Sequence, residues 1–418
     1  MRKILAGVCV CIALAVLTTF LFCSMSSAEE VSSVETEQAG NQEPQQAEEI
    51  EKKEKIEENH SIEAGYEKHR RDQETEEEEE EEEPTEGTPV LSRLPVEKVT
   101  LGGYIDLDYD YYEVSDVSDR NSGSSSDLGL GSVELELRVF FNKWVKAKTK
   151  ITADDVGKKD GDEKIKVDEA FFTMKCPYIP TYFIGGYRDL PFGVFEDRLI
   201  TGTIIEDLYE IQEVGATLGF DPDFYGLDIS FTVYRGQDII ENLEDYGTHE
   251  YSPDREEDDD VSSFIANVTL EPVEDKFIMS VFFDSEPGDG RRNLTIGSAF
   301  TLEVWKFTLD GEYIAALQRE DGENGEENKE SAWVAGLAFR PVESVPLELV
   351  VRYEDFDNDQ QGNQDEILDD RYVAGFSYKF LKWATFFFEY DYLNYEKERG
   401  SDAADHVNTF HFRIGLAF

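Results

Sequence analysis

The chain has 418 residues, with 93 acidic against 39 basic side chains and a formal net charge of −54. That balance excludes a nucleic-acid partner, whose phosphates it would repel. Catalysis also finds little footing, because five histidines are scattered and no nucleophile motif accompanies His406 or His411 near the C-terminus.

At the N-terminus, Arg2 and Lys3 precede an apolar run from Ile4 to Phe22 and the small residues Ser26, Ser27 and Ala28. This order predicts a secretory signal over 1–28, cleaved after Ala28. A retained anchor helix is the alternative, since the run is long enough to span a bilayer. Cys9, Cys11 and Cys23 fall within the signal and leave Cys176 alone in the mature chain, so no internal disulfide is expected.

Residues 29–96 are a different material. The stretch "ETEEEEEEEEPTEG" typifies a segment rich in Glu, Gln, Lys and Ser, too polar to offset chain entropy by burial. It reads as a disordered acidic low-complexity extension on the periplasmic side. The mixed charges of "QQAEEIEKKEKIEENHSI" leave a coiled element open.

From 97 to 418 the text turns to short segments that alternate apolar and polar residues. "GSVELELRVFF" sets Val133, Leu135, Leu137 and Val139 against Glu134, Glu136 and Arg138. "TFFFEYDYL" sets Phe386, Phe388, Tyr390 and Tyr392 against Thr385, Phe387, Glu389 and Asp391. A period of two marks strands with one greasy and one wet face. Sixteen such strands are predicted, at 98–113, 128–142, 144–154, 164–176, 180–190, 212–221, 224–236, 261–272, 275–285, 292–302, 304–318, 331–340, 345–355, 371–380, 383–395 and 405–418.

The connections alternate too. Odd strands are followed by long loops such as "DFDNDQQGNQDEILDD", even strands by short turns such as "NKW" and "FLKW". A soluble sandwich has no reason to keep that rhythm, whereas a transmembrane antiparallel β-barrel has short periplasmic turns and long outer loops. Trp144, Trp305 and Trp383 stand at or beside short turns, as interfacial anchors do. The prediction is an all-β barrel of about 16 strands in the bacterial outer membrane, touching lipid and lipopolysaccharide. A barrel this wide is not filled by its side chains and leaves an aqueous channel.

The last strand ends on Phe410, Phe412, Ile414, Leu416 and Phe418 at every second position. Its outward face would touch lipid and its backbone would close on the first strand. A terminal phenylalanine on such a strand also resembles the signal read by the barrel assembly machinery.

Three features suggest where chemistry sits. Lys146, Lys148, Lys150, Lys164 and Lys166 on the third and fourth strands form either a basic wall guiding an anionic solute or a charge ladder that neutralises itself against Glu134 and Glu136. The loop after the fifth strand, "DLPFGVFEDRLITGTIIEDLYEIQ", is apolar where the other long loops are acidic. Exposed, it would be a sticky patch, so it is expected to fold back as a constriction; packing on the rim or against a neighbour is the alternative. The remaining loops, including "SPDREEDDD", could collect divalent cations. Asp355, Asp357, Asp359 and Glu366 hold ligand positions of a calcium loop, but Gln360 stands where its turn needs glycine, so no metal site and no cofactor is assigned.

At "VTLGGYIDLDYDYY", "VDEAFFTM" and "GGYRDLPFGVFEDRLIT" the sequence resembles the LbtU-type siderophore porins, over about residues 95–418. The resemblance implies uptake of an iron–siderophore complex through a barrel without a TonB-type plug. It also implies a constriction formed by Arg188, Pro191, Phe192, Gly193, Phe195 and Glu196; independently of the resemblance, an inward-folded loop would line the narrowest point with its charges, Arg188, Glu196, Asp197, Arg198, Glu206, Asp207 and Glu210. Gly186, Tyr187 and Arg188 depart from the "GKQ" or "GRQ" expected before that loop. A general diffusion porin and a surface-interaction protein with cation-binding loops remain the alternatives, and a homo-oligomer is left open.

Overall fold

The computed structural model describes residues 96–115, 123–158, 164–195, 198–222, 224–246, 260–320, 327, 329–342, 344–358, 368–395 and 406–418. The expected signal and acidic extension lie outside these residues, as do Glu196, Asp197, Asp359, Glu366 and the acidic tips of several outer loops.

Sixteen strands form one closed antiparallel barrel: β1 (Lys98–Ser115), β2 (Gly123–Asn142), β3 (Val145–Val156), β4 (Ile165–Lys175), β5 (Thr181–Asp189), β6 (Gln212–Phe220), β7 (Asp228–Tyr234) and β8 (Ser263–Val273) make the first half. The second half is β9 (Phe277–Glu286), β10 (Asn293–Val304), β11 (Phe307–Gln318), β12 (Glu330–Phe339), β13 (Leu347–Asn358), β14 (Leu368–Leu381), β15 (Ala384–Tyr395) and β16 (His406–Ala417). Every strand pairs with its sequence neighbours, and β1 pairs with β16 to close the ring, for example Tyr109 opposite Phe412. Closure satisfies the backbone without water, which hydrocarbon requires of any lipid-exposed sheet.

The seam is completed by the last residue. Gly103 N–H donates to the Phe418 carbonyl at 2.9 Å, and Phe418 N–H donates to Gly103 at 3.0 Å. A Cβ on Gly103 would stand 2.3 Å from the Phe418 ring, so the glycine makes room for the terminal aromatic.

Alternation sorts the side chains. Leu101, Leu107, Tyr109, Leu128, Leu218, Phe412, Ile414 and Leu416 are exposed on the outer wall. Asp106, Asp108, Asp110, Glu354, Glu389 and Asp391, from the other phase of the same period, are buried inside. Outward rings pair across strands, as in Phe388 with Phe412 at 5.0 Å and Tyr353 with Tyr372 at 4.7 Å. Trp144, Trp305 and Trp383 all sit in the short turns.

One sector of the inner face breaks the wet pattern. Ile265, Phe282, Ala299, Ile314, Ala332, Val334 and Phe356 on β8–β13 are buried, in one cluster with residues from two inward-folded loops. These loops carry the helices α1 (Ile204–Tyr209), between β5 and β6, and α2 (Asp238–Asp245), between β7 and β8.

Candidate functional site: the inward-folded loop

The apolar loop after β5 lies inside the barrel. Leu190, Phe192, Ile204, Ile205, Leu208, Tyr209 and Ile211 are each at most 5% exposed, packed on the apolar sector of the wall. Burial of side chains of this size stabilises the docked loop by about 1.5–3 kcal/mol each. The wall makes room with small residues. A Cβ on Gly375 would meet Leu199 at 2.7 Å, and one on Gly215 would meet Leu190 at 2.8 Å.

Charged wall residues then fix the loop backbone at intervals. Glu312 of β11 accepts from the Val194 and Phe195 N–H groups at 2.9 and 3.1 Å. Glu389 of β15 accepts from the N–H groups of Ile200 and Thr201 and from the Thr201 hydroxyl. Glu354 of β13 accepts from Ile204 N–H at 2.7 Å. Arg352 donates to the carbonyls of Thr201 at 3.0 Å and Gly202 at 2.9 Å, and Arg371 also reaches Gly202, at 2.9 Å. The loop is thus held by a row of side chains from β11 to β15, with a capping box at Thr203 and Glu206 starting α1. Arg371 donates on to Asp391 at 2.8 Å, and His411 bridges Asp391 at 3.3 Å and Asp110 of β1 at 2.7 Å. This carries the network to the closing seam.

The residues expected at the constriction fall into different places. Phe192 does not face open space: it is fully buried, edge-on to Phe282 with ring centroids 5.0 Å apart. Pro191 is half-buried beside it. Gly193 has a φ of +88°, and a Cβ there would strike the Phe195 ring at 2.2 Å, so the "PFG" turn requires glycine. Arg198 pairs with Asp310 at 3.2 Å and stands 3.8 Å from Glu348. Arg188 lies on β5, donating to the Thr217 hydroxyl at 2.8 Å and to the Asp189 carbonyl at 3.0 Å.

The lysines of β3 and β4 stand across the ring from β11. Lys148 lies between Glu136 at 3.3 Å and Glu169 at 2.6 Å. Lys150 contacts Asp168 and lies 4.0 Å from Glu134, and Lys166 pairs with Asp154 at 2.9 Å. Lys146 is half-buried on β3, and Lys164 is exposed just before β4. The arrangement on β2–β4 is a cross-strand ladder of opposite charges. Arg413 continues it to Asp106 at 3.2 Å and Asp108 at 2.8 Å, and Lys158 reaches Asp110 at 3.3 Å.

The inner loops themselves are acidic. Burial, with Asp189 and Asp207 close by, raises the Glu210 carboxyl to about 7. Burial also raises Asp207, against a hydrogen bond from Tyr246. Asp238 at the start of α2 is pushed up to about 8 by burial and by the neighbouring Glu286, Glu213 and Glu241.

Two parts of the site escaped sequence reading. The segment containing α2 read as one more acidic outer loop, yet Ile239, Ile240 and Leu243 are fully buried. Their spacing of one and four was the available signal. The anchoring row was visible only as inward charges, without its partners. Of the calcium-loop positions, Asp355 lies on β13 and accepts from Trp333 Nε1 at 2.8 Å and Tyr353 at 3.3 Å. No cluster among the described residues could hold a metal ion.

A closed sixteen-stranded barrel with an apolar outer band and a loop folded onto its inner wall is the architecture of an outer-membrane channel. The family model for Gram-negative porins matches residues 82–398, and the chain belongs to that family. No curated protein matches it in sequence. Among solved structures it is similar to the anion-selective porin from Comamonas acidovorans, with 14% identity, a TM-score of 0.56, and coverage of 77% of this chain and 99% of that one. The outer membrane channel DcaP of Acinetobacter baumannii is similar at 14% identity and a TM-score of 0.56, covering 77% and 97% of the two chains. Salmonella typhi OmpF, solved with daunomycin, matches at 12% identity and a TM-score of 0.53, covering 78% and 98%. At these identities the likeness is one of fold.

Proposed function

We propose that this porin is a passive channel for small hydrophilic solutes, narrowed by the loop after β5 and preferring cations. The observation that carries the reading is the docked loop: 22 residues from 190 to 211 lie between β5 and β6, and the described ones pack against the inner wall. The cation preference follows from charge. The one described basic residue of that loop, Arg198, is paired with Asp310, while Glu206, Asp207 and Glu210 are acidic. Lys148, Lys150 and Lys166 on β3 and β4 each lie against a carboxylate of a neighbouring strand, which offsets their charge, and the outer loops are acidic in sequence. Such a field enriches cations at the mouth.

Uptake of an iron–siderophore complex is the finer reading, supported by the resemblance at "VDEAFFTM" and "PFGVFEDRLIT". An acidic entrance disfavours a carboxylate siderophore and suits a neutral or cationic ferric complex. Titrating ferric siderophores into planar bilayers holding the mature chain tests it. Saturable block supports siderophore uptake; conductance indifferent to every ferric complex leaves a general diffusion porin. Silence from demonstrably folded protein would return the surface-interaction alternative.

A further inference from the structure

The helix α2 is seated on an arrangement that ordinary hydrogen bonding does not satisfy. The hydroxyl of Tyr234, on the inner face of β7, lies 2.7 Å from Asp284 Oδ1 and 3.0 Å from Glu286 Oε1 on β9. A phenol has one hydrogen and can donate to only one of them. All three residues are at most 1% exposed, and the other oxygens, Asp284 Oδ2 and Glu286 Oε2, are buried without a hydrogen-bond partner. Two ionised carboxylates converging on one oxygen in such a place would be desolvated and mutually repelled, and the usual outcome is that one keeps a proton.

One cation faces the pair, and its charge is shared with a third carboxylate. Arg319, which follows β11, is the basic group facing the pair, and it is 2.5 Å from Glu330, which also accepts from Tyr209 of α1. Asp238 at the start of α2 faces Glu286, with Glu241 of α2 and Glu213 of β6 close to Asp238, and Glu213 is paired with Arg235 at 3.1 Å. The Ile239 N–H of α2 donates to Glu286 at 3.0 Å, so the helix is fastened directly to the pair. Asn242 then ties α2 to the loop after β5 through the Glu210 carbonyl at 3.0 Å.

We propose that Asp284, Tyr234 and Glu286 share one proton, and that this proton seats α2 against the wall and so narrows the channel. With the proton present, one carboxylic acid donates, the phenol donates to the other carboxylate, and Glu286 still accepts from α2. When pH rises the proton leaves to bulk water, two like charges face each other beneath the acidic start of α2, and the helix lifts. The latch is therefore closed at low pH and released as pH rises.

The proposal rests on the channel reading, and the experiment separates the two. Unit conductance of the mature chain in planar bilayers is followed as pH is raised from acid to alkaline, for the wild type, Asp284→Asn and Glu286→Gln. In parallel, hydrogen exchange at the Ile239 amide, corrected for intrinsic pH dependence, is followed in detergent. The wild type should gain conductance and lose Ile239 protection with rising pH. Asp284→Asn, whose amide donates without charge, should keep α2 protected and lose the conductance rise; Glu286→Gln serves if Asp284→Asn does not fold. Wild-type Ile239 protection independent of pH overturns the proposal, even if the protein proves silent in bilayers. Protection that falls without a gain in the conductance of an active channel overturns the gating role.

Discussion

Replacing Glu312 by alanine isolates what holds the constriction loop at its first turn. Its carboxylate caps two successive N–H groups, those of Val194 and Phe195, at 2.9 and 3.1 Å. Hydrogen bonds to a charged acceptor contribute about 1.5–3 kcal/mol each in a dry site. Here the donors are only partly buried, and water in the lumen takes over part of that, leaving about 1–3 kcal/mol. The population of loop-open states should then rise roughly 5- to 150-fold. The apolar anchors Phe192, Ile204, Ile205 and Leu208 are untouched, so the barrel itself should keep its melting temperature in detergent to within a few degrees. Hydrogen exchange at 194–195 should accelerate by that factor, and single-channel records should become noisier, with brief excursions to higher conductance. Glu312→Gln, which retains one acceptor oxygen, should fall between. Unchanged exchange at 194–195 together with unchanged channel noise would refute the claim that this carboxylate positions the loop.

Other substitutions probe other parts of the account. Arg371→Met should cost about 3–5 kcal/mol, because it leaves Glu354, Glu389 and Asp391 buried with less compensation; a large drop in melting temperature checks this, and a small one contradicts it. Gly375→Ala sets a Cβ 2.5 Å from the Phe388 carbonyl and 2.7 Å from Leu199, so it should weaken both the β14–β15 pairing and the loop; a melting temperature equal to wild type would count against this packing. Deleting Phe418 removes both hydrogen bonds to Gly103 and should lower the yield of folded barrel, seen as lost heat-modifiable mobility on gels. Cation preference should grow as pH rises through about 7, where Glu210 ionises, since a raised carboxyl is neutral below its shifted value and negative above it. Glu210→Gln should flatten that rise in reversal-potential measurements.

Much of the architecture was legible because period two leaves little freedom. The inward positions Glu389 and Asp391 and the outward positions Phe388 and Tyr390 follow from one alternation, and a shift by one residue would put carboxylates into lipid. Loop length gave the up-and-down order, and the apolar content of 190–211 gave its inward fold. What could not be read is which wall residues meet the loop. Arg352, Glu354 and Arg371 are more than 145 residues from Thr201, Gly202 and Ile204 in sequence, and no local pattern encodes that meeting. The small residues Gly297, Ala299, Ala332 and Ala338 did carry a trace of it, since a water-lined wall has no need of them. The lysines were legible in part: a ladder against Glu134 and Glu136 was one of the two readings, but Glu169 of the next strand, 2.6 Å from Lys148, had no place in it.

The most direct test of the central claim is the reversal potential of the mature chain in a planar bilayer under a salt gradient. The account predicts stepwise insertion of conducting channels and a potential of the sign set by cations crossing faster than anions. Folded protein that never conducts would contradict the channel. Conduction with anion preference would contradict the electrostatic reading of the constriction.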